Sequence, residues 1–142
     1  MISLEDYFGP WRYSPDANDV VVGNAEVFLP KANALLDRYE TDTGQEVQQN
    51  PVTSNRMHHR DEISGQQYGG FRPQACPQGA PDSSHKQGRG GDVFDPDNAI
   101  DDWLTDELLT EFGLYREAPA STPRWCHLTD REPRSGHRTF QP

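Results

Sequence analysis

Several features are scarce in this chain of 142 residues, and each scarcity argues against a class of protein. No apolar run approaches the roughly 18 residues that a membrane-spanning helix needs. Two cysteines, Cys76 and Cys126, are too few for a disulfide framework, so we expect free thiols. Thirteen basic residues against 23 acidic ones give a net charge of −10 with no basic stripe. That balance argues against nucleic acid or an anionic membrane as the partner.

Residues 1–6 lack the basic region and the apolar core of a secretory signal peptide. We therefore expect the protein to stay in the cytoplasm where it is made unless another factor releases it. Only 32% of the residues are hydrophobic, but three Trp, five Tyr and six Phe can build a small core. The length suits a single domain.

The order of patterns along the chain predicts an α+β fold with a small antiparallel sheet and two main helices. An extended arm is expected over residues 1–23, because Phe8, Trp11 and Tyr13 are interspersed with glycine and proline. The domain itself is expected over residues 24–142. Short strands are predicted near 50–54, 68–73, 90–94, 114–117, 124–128 and 138–140.

The two helices are indicated by apolar residues that recur at 3.6-residue spacing. The first is expected to be capped by Asn24, and Pro30 predicts a kink or a later start. The second is expected to be capped by Asp97 or Asn98 and to end at Gly113. Their apolar faces comprise Ala25, Phe28, Ala32, Leu35, Leu36 and Tyr39 in the first helix, and Ile100, Trp103, Leu104, Leu108 and Phe112 in the second.

Two histidines and an aspartate, His85, Asp92 and His127, could bind one metal ion. The first two are seven residues apart, which is too wide for one helix face and suits a glycine-containing loop followed by a strand. Imidazole nitrogen and carboxylate oxygen are normal zinc ligands, and three protein ligands leave a position open for water. On a strand Cys126 would face away from a metal at His127. The alternative is structural, with Asp92 capping a turn and His127 buried beside Trp125.

Three segments, in this order, resemble the zinc D,D-carboxypeptidase and L-alanyl-D-glutamate peptidase family, whose fold is shared by the hedgehog signalling domain. Segment 83–92 reads Ser-x-His-x-x-Gly-x-Gly-x-Asp, similar to the family's Ser-x-His-x-x-Gly-x-Ala-x-Asp motif. Segment 70–73, Gly-Phe-Arg-Pro, resembles its Ser-Gly-Tyr/Phe-Arg segment, and 125–127, Trp-Cys-His, its late Trp-x-His strand. The resemblance covers about residues 25–142 and looks most like the small single-domain branch found in phages.

This resemblance implies a Zn²⁺ site formed by His85, Asp92 and His127, and peptidase activity on peptidoglycan stem peptides. Zinc would acidify a bound water and polarise the scissile carbonyl. Arg72 would point at the developing oxyanion. The implied partners are a peptidoglycan peptide and, for a particle-borne enzyme, virion proteins. The implied locations are the host cytoplasm or the virion, with action on the cell wall; the bond that is cut stays open.

The chain departs from the family three residues before the last histidine, where Arg124 replaces the usual catalytic acid. Another general base must then reach the attacking water. Glu117, on the preceding strand, is the first choice, Asp130 the second and His137 the third. The alternative for Glu117 is a solvated strand residue that pairs with an arginine. A catalytically inactive zinc-binding fold, serving as a binding or structural virion module, is therefore the second functional hypothesis.

Overall fold

The computed structural model describes residues 1–58, 69–77 and 79–142. They form a small α+β unit in which several helices accompany a four-stranded sheet. No helix in these ranges is both long and apolar enough to cross a bilayer. The helices and strands are α1 (Leu4–Phe8), α2 (Asp19–Thr43), β1 (Gly90–Phe94), α3 (Ala99–Trp103), α4 (Asp106–Phe112), β2 (Tyr115–Glu117), β3 (Trp125–Thr129) and β4 (Thr139–Phe140), with short 3-10 turns at Gly9–Trp11 and Pro119–Ser121.

The sheet has the strand order β1-β3-β2-β4 and is mixed. β3 pairs antiparallel with both β1 and β2, whereas β4 runs parallel to β2. The expectation of an antiparallel sheet is therefore wrong at this edge. β1 and β2 already occupy both edges of β3, so the chain that follows β3 pairs with the outer edge of β2 instead. This chain runs back in the direction opposite to β3, which is the direction of β2.

Helix α2 supplies one wall of the core, and all six residues of its predicted apolar face are buried. The helix begins earlier than expected, at Asp19, because the Asn18 side chain accepts a hydrogen bond from the Val21 amide at 3.0 Å. The prediction of Asn24 as the cap is wrong. Asn24 instead donates its side-chain amide to the Gln87 carbonyl at 2.9 Å, which ties α2 to the loop before β1.

The expected extended arm over residues 1–23 is wrong. A Ser3 capping box starts α1, and α2 runs across the expected boundary between residues 23 and 24. Tyr7 and Phe8 are fully buried, although Tyr13 is 94% exposed. The physical reason is that two aromatic rings on one short helix bury more apolar surface than an extended segment would. The N-terminal segment is thus part of the core.

The second predicted helix is divided into α3 and α4. Leu104 adopts an extended conformation, and the Thr105 hydroxyl accepts a hydrogen bond from the Leu108 amide, which starts a new helix. Gly113 ends α4 in the left-handed conformation, as predicted. The strands expected near 50–54 and 68–73 are wrong for the residues described there: the former is a turn closed by a bridge between Asn50 and Asn55, and 69–73 is irregular. Position 68 lies outside the described residues.

The loop before β1 packs against α2 through Gly88. This residue has φ of +73°, and a Cβ atom there would lie 2.5 Å from the Val21 carbonyl oxygen. A side chain would therefore meet both backbone strain and a rigid backbone atom. This contact explains why glycine stands at position 88.

The substitution Gly88→Ala is expected to lower the free energy of unfolding by about 2 kcal/mol, since it adds left-handed strain and a clash. Chemical denaturation measures the change. The matched control is Gly23→Ala in α2, where a Cβ meets nothing within 4 Å. That control should stabilise the protein by up to about 1 kcal/mol, because alanine favours the helix. Equal stabilities for the two variants would contradict the packing of this loop.

Candidate metal centre

The register of β1 and β3 brings Asp92 and His127 together. The two residues are direct partners in the antiparallel ladder, so their side chains lie on the same face of the sheet. His127 Nδ1 lies 2.8 Å from Asp92 Oδ1, and both side chains are buried. A separation of 35 residues in sequence is thus closed by one pair of strands.

His85 reaches the same carboxylate from the loop before β1. Its Nδ1 lies 2.8 Å from the Gly70 carbonyl oxygen, and its own carbonyl accepts a hydrogen bond from the Arg72 amide at 3.3 Å. Its Nε2 lies 3.3 Å from Asp92 Oδ1. One ligand atom from each of His85, Asp92 and His127 lies within 4.8 Å of the other two, and all three residues are buried. This cluster could hold a metal ion.

The tautomer of His85 favours a cation at this point. A carbonyl oxygen only accepts, so Nδ1 must carry the proton that is donated to Gly70, and the neutral ring then has its lone pair on Nε2. That lone pair faces a carboxylate oxygen of Asp92. Burial lowers the pKa of His85 to about 4, although Asp92 acts in the opposite direction. The ring is therefore neutral near pH 7, and a metal cation between two acceptors would satisfy both.

Asp92 is the shared element of the cluster. Its Oδ1 faces both imidazoles, while its Oδ2 accepts a hydrogen bond from Arg72 Nη2 at 3.2 Å. Burial alone would raise the pKa of this carboxyl, but His85 and His127 hold it well below its usual range. Asp92 is thus ionised and oriented before any ligand arrives, as a metal-binding carboxylate needs to be.

A cavity of about 370 Å³ opens beside the cluster. Five of the six residues predicted for the site line it, namely Arg72, His85, Asp92, Glu117 and His127. The other described lining residues are Gly79, Ala80, Asp82, Ser83, Ser84, Thr129, Arg131, Pro133, Phe140 and Pro142. Open space next to the cluster leaves room for a water and a small ligand.

Asp130, the sixth predicted residue, is not among the described residues that line the cavity. Its Oδ1 accepts a hydrogen bond from Arg89 Nε at 2.9 Å, and its Oδ2 lies 3.9 Å from Lys31 Nζ. The Asp130 carboxylate is thus paired with two basic side chains at the end of β3, which does not fit its predicted role as a general base. His137, the third choice, is exposed.

Cys126 faces away from His127, as the alternation of a strand predicts. Its thiol hydrogen-bonds the buried Asp101, and burial raises the pKa of Cys126 well above its usual range. Arg124 lies in the turn before β3, with φ of +78° and its amide bonded to the Asn98 side chain. Arg124 is exposed and is not among the described residues that line the cavity.

Arg131 and Phe140 are among the lining residues that were not predicted for the site. The Phe140 ring meets His127 edge to face, with centroids 6.3 Å apart. Arg131 lies in the turn-rich polar stretch after β3, and Phe140 lies on β4, which is too short for a periodic pattern to indicate a site. The only available signal was their place after the last histidine.

No protein-family model, curated protein or solved structure matches this chain.

Metal-free protein titrated with Zn²⁺ at neutral pH is expected to bind one ion per chain. The substitution His127→Asn keeps a side-chain donor for Asp92 but removes a ring nitrogen, and should weaken binding by at least about 100-fold. Calorimetry measures the affinity and the protons released. His137→Asn, at the exposed histidine, is the matched control and should bind like the unaltered chain. Equal affinity in both variants would place the ion elsewhere.

The stability of the metal-free protein should fall as the pH drops from about 6.5 towards 4. In this window the unfolded chain protonates His85 while the folded chain does not, because the folded pKa is about 4. The full effect is on the order of 3 kcal/mol. A further loss is expected below the usual aspartate range, since the pKa of Asp92 is lowered.

Denaturation across this pH range in the presence of a chelator measures the effect. His85→Asn, which keeps a donor for the Gly70 carbonyl but cannot titrate, should flatten the slope between pH 4 and 6.5. His137→Asn should keep the slope. Parallel curves for all three proteins would mean that His85 is not buried as a neutral ring.

Proposed function

We propose that this protein is a zinc-dependent peptidase that cleaves peptidoglycan stem peptides, as a phage lytic or virion-associated enzyme. The observation that carries the proposal is the buried His85–Asp92–His127 cluster, which lines a cavity together with Glu117. Its ligand types match those that the resemblance implies for zinc. The same resemblance is the basis for proposing a hedgehog/D,D-peptidase type of fold within the α+β class.

The residues present fit a zinc ion with an open position. With two neutral imidazole nitrogens and one carboxylate as ligands, the zinc complex would keep a net positive charge. That charge suits an ion that activates water. When bound, zinc would lower the pKa of a coordinated water and polarise the carbonyl of the scissile bond. Cys126 is not a proposed ligand, since its thiol is directed to Asp101 on the other face of the sheet.

Glu117 is the proposed general base. It ends β2, is half-buried, and lines the cavity together with the three metal-binding side chains. A carboxylate there would accept the proton of the attacking water and then deliver it to the amine that leaves when the peptide bond breaks. Asp130 is the weaker choice because its carboxylate is engaged by Arg89.

Arg72 has two proposed roles. Its hydrogen bond to Asp92 Oδ2 orients the carboxylate whose other oxygen faces the histidines. Its guanidinium also lines the cavity, where a fixed cation would stabilise negative charge that develops on the substrate carbonyl oxygen. At 2% exposure the cation is poorly screened by solvent, which strengthens both effects.

The second candidate function is a zinc-binding module without catalysis, acting in recognition or in a virion. The observation that favours it is Arg124, which stands where the resembling family carries its acid and lies in an exposed turn. The two functions differ in one requirement, because only the enzyme needs Glu117 to transfer protons.

The substitution Glu117→Gln should lower the rate of muropeptide cleavage by at least about 100-fold while leaving zinc binding intact, because the amide cannot take a proton. Digestion followed by mass spectrometry measures the rate, and metal analysis measures the zinc. Glu107→Gln, at an exposed position of α4, is the matched control. Asp130→Asn separates the two candidate bases.

Stoichiometric zinc without any cleavage by the unaltered chain would remove the peptidase and leave the binding module. Cleavage that survives Glu117→Gln but not Asp130→Asn would transfer the role of base to Asp130.

A further inference from the structure

A second cavity, of about 490 Å³, is formed by residues 1–4 together with one side of helix α2. The lining residues on α2 recur at spacings of three and four, so they form one stripe along the helix surface. This stripe is separate from the six residues of the predicted apolar face, which are buried in the core. We call this cavity the α2 groove; its lining residues are Met1, Ile2, Ser3, Leu4, Glu26, Leu29, Pro30, Asn33, Ala34 and Asp37.

Most of the residues that line the α2 groove are apolar, and its two sides are tied to each other. Ile2 and Leu29 are buried, and Leu4 is half-buried. The Asn33 side chain accepts a hydrogen bond from the Ile2 amide at 2.7 Å and donates one to the Ile2 carbonyl at 2.9 Å. These two bonds hold the N-terminal side of the groove against α2. The groove is therefore formed in advance, which lowers the ordering entropy that a ligand would have to offset.

The charged side chains of the α2 groove are all acidic. Glu26 and Asp37 are exposed and form no ion pair with a described residue, whereas Glu40 and Asp42 of the same helix pair with arginines. Pro30 has no N–H, so the Glu26 carbonyl has no amide at position 30 from which to accept a hydrogen bond. Lysine, arginine and histidine are absent from the lining residues that the structure describes. The groove thus favours a cationic ligand.

The length of the α2 groove suits a polypeptide better than a small molecule. Glu26 and Asp37 are eleven positions apart on α2, which corresponds to about 16 Å along the helix axis. An extended chain covers that distance in about five residues. Val27 is 56% exposed and lies one helical turn before Pro30, so apolar surface continues beyond the groove itself. A bound segment could cover Val27 as well as the cavity.

We propose that the α2 groove binds a segment of a partner protein in which an apolar side chain lies between two basic ones. The basic side chains pair with Glu26 and Asp37, and the apolar one packs against Leu29 and Ala34. A second copy of this chain is disfavoured as the occupant, because each copy carries a net charge of −10. The inference goes beyond the proposed peptidase, since the α2 groove shares no described lining residue with the cavity beside the His85–Asp92–His127 cluster.

The test is a titration of the full chain with three pentapeptides at neutral pH and low salt, followed by NMR. The peptides are acetyl-Lys-Thr-Leu-Thr-Lys-amide and its two analogues with glutamine or glutamate in place of both lysines. Alternate residues of an extended chain share a face, so each probe presents its leucine between the two ends. We expect the lysine peptide to bind about 5-fold more tightly than the glutamine peptide, as expected for two exposed ion pairs, and the glutamate peptide to bind most weakly.

The amide resonances of Leu29 and Ala34 should shift with the lysine peptide, and the preference should shrink in about 1 M salt, which screens exposed charges. The double substitution Glu26→Gln with Asp37→Asn should remove the preference. The matched control is Glu46→Gln with Glu107→Gln, which changes the net charge equally at two exposed acids outside the groove and should retain the preference.

Ala34→Arg, at an exposed position of α2, should weaken binding of the lysine peptide by placing a cation within the groove. Hexylamine serves as a further probe, because it carries an alkyl chain and a single cation without a peptide backbone. Sedimentation of the unaltered chain, compared with the Glu26→Gln with Asp37→Asn variant, measures self-association.

No binding of the lysine peptide, equal affinity for the lysine and glutamine peptides, or a preference that survives the double substitution would overturn the proposal. Resonance shifts confined to residues outside the groove would do the same. If hexylamine binds and the lysine peptide does not, the groove takes a small organic cation and the partner segment is excluded. A dimer that the double substitution abolishes would make a second copy the occupant instead.

Discussion

A single buried carboxylate, that of Asp92, organises this protein. Its two oxygens face two imidazoles and a guanidinium, which come from β3, from the loop before β1 and from the irregular segment 69–73. A charge at 1% exposure is tolerated only when it is paired and hydrogen-bonded, so these three segments must converge on it. The need to pair the Asp92 carboxylate therefore brings these segments together. The same pairing places two imidazole rings beside a carboxylate oxygen, where a cation could bind.

The fold was predictable where local patterns decide it. The apolar spacing of α2 identified its buried face, and the alternation in β3 correctly put Cys126 on the opposite side from His127. Predictions failed where tertiary contacts decide. Whether α1 forms depends on a core that receives Tyr7 and Phe8, and the direction of β4 depends on which strand edge is still open. Neither the core around α1 nor the free strand edge beside β4 can be predicted from the residues of those segments alone.

The candidate site divides in the same way. The three residues of the cluster that could hold a metal ion were predicted together, because their types and order are distinctive even though 35 residues separate Asp92 from His127. Spacing could not choose between Glu117 and Asp130, since both are acids near strand ends, and only packing shows that one lines the cavity while the other meets Arg89. Arg131 was invisible for another reason. Nothing in its polar stretch indicates that its side chain lines the cavity, which only three-dimensional contacts show.

The contacts of Tyr7 bear on how the molecule assembles. Its hydroxyl donates to the Gly90 carbonyl at 2.8 Å, and its own carbonyl accepts from the Phe71 amide at 3.0 Å. One residue near the N-terminus thereby joins β1 to the segment that carries Arg72, across as many as 83 positions of sequence. Such distant closures are slow and come late in folding. The His85–Asp92–His127 cluster should accordingly assemble only with the last cooperative step, so a nascent chain or a partly folded intermediate would lack the candidate metal centre.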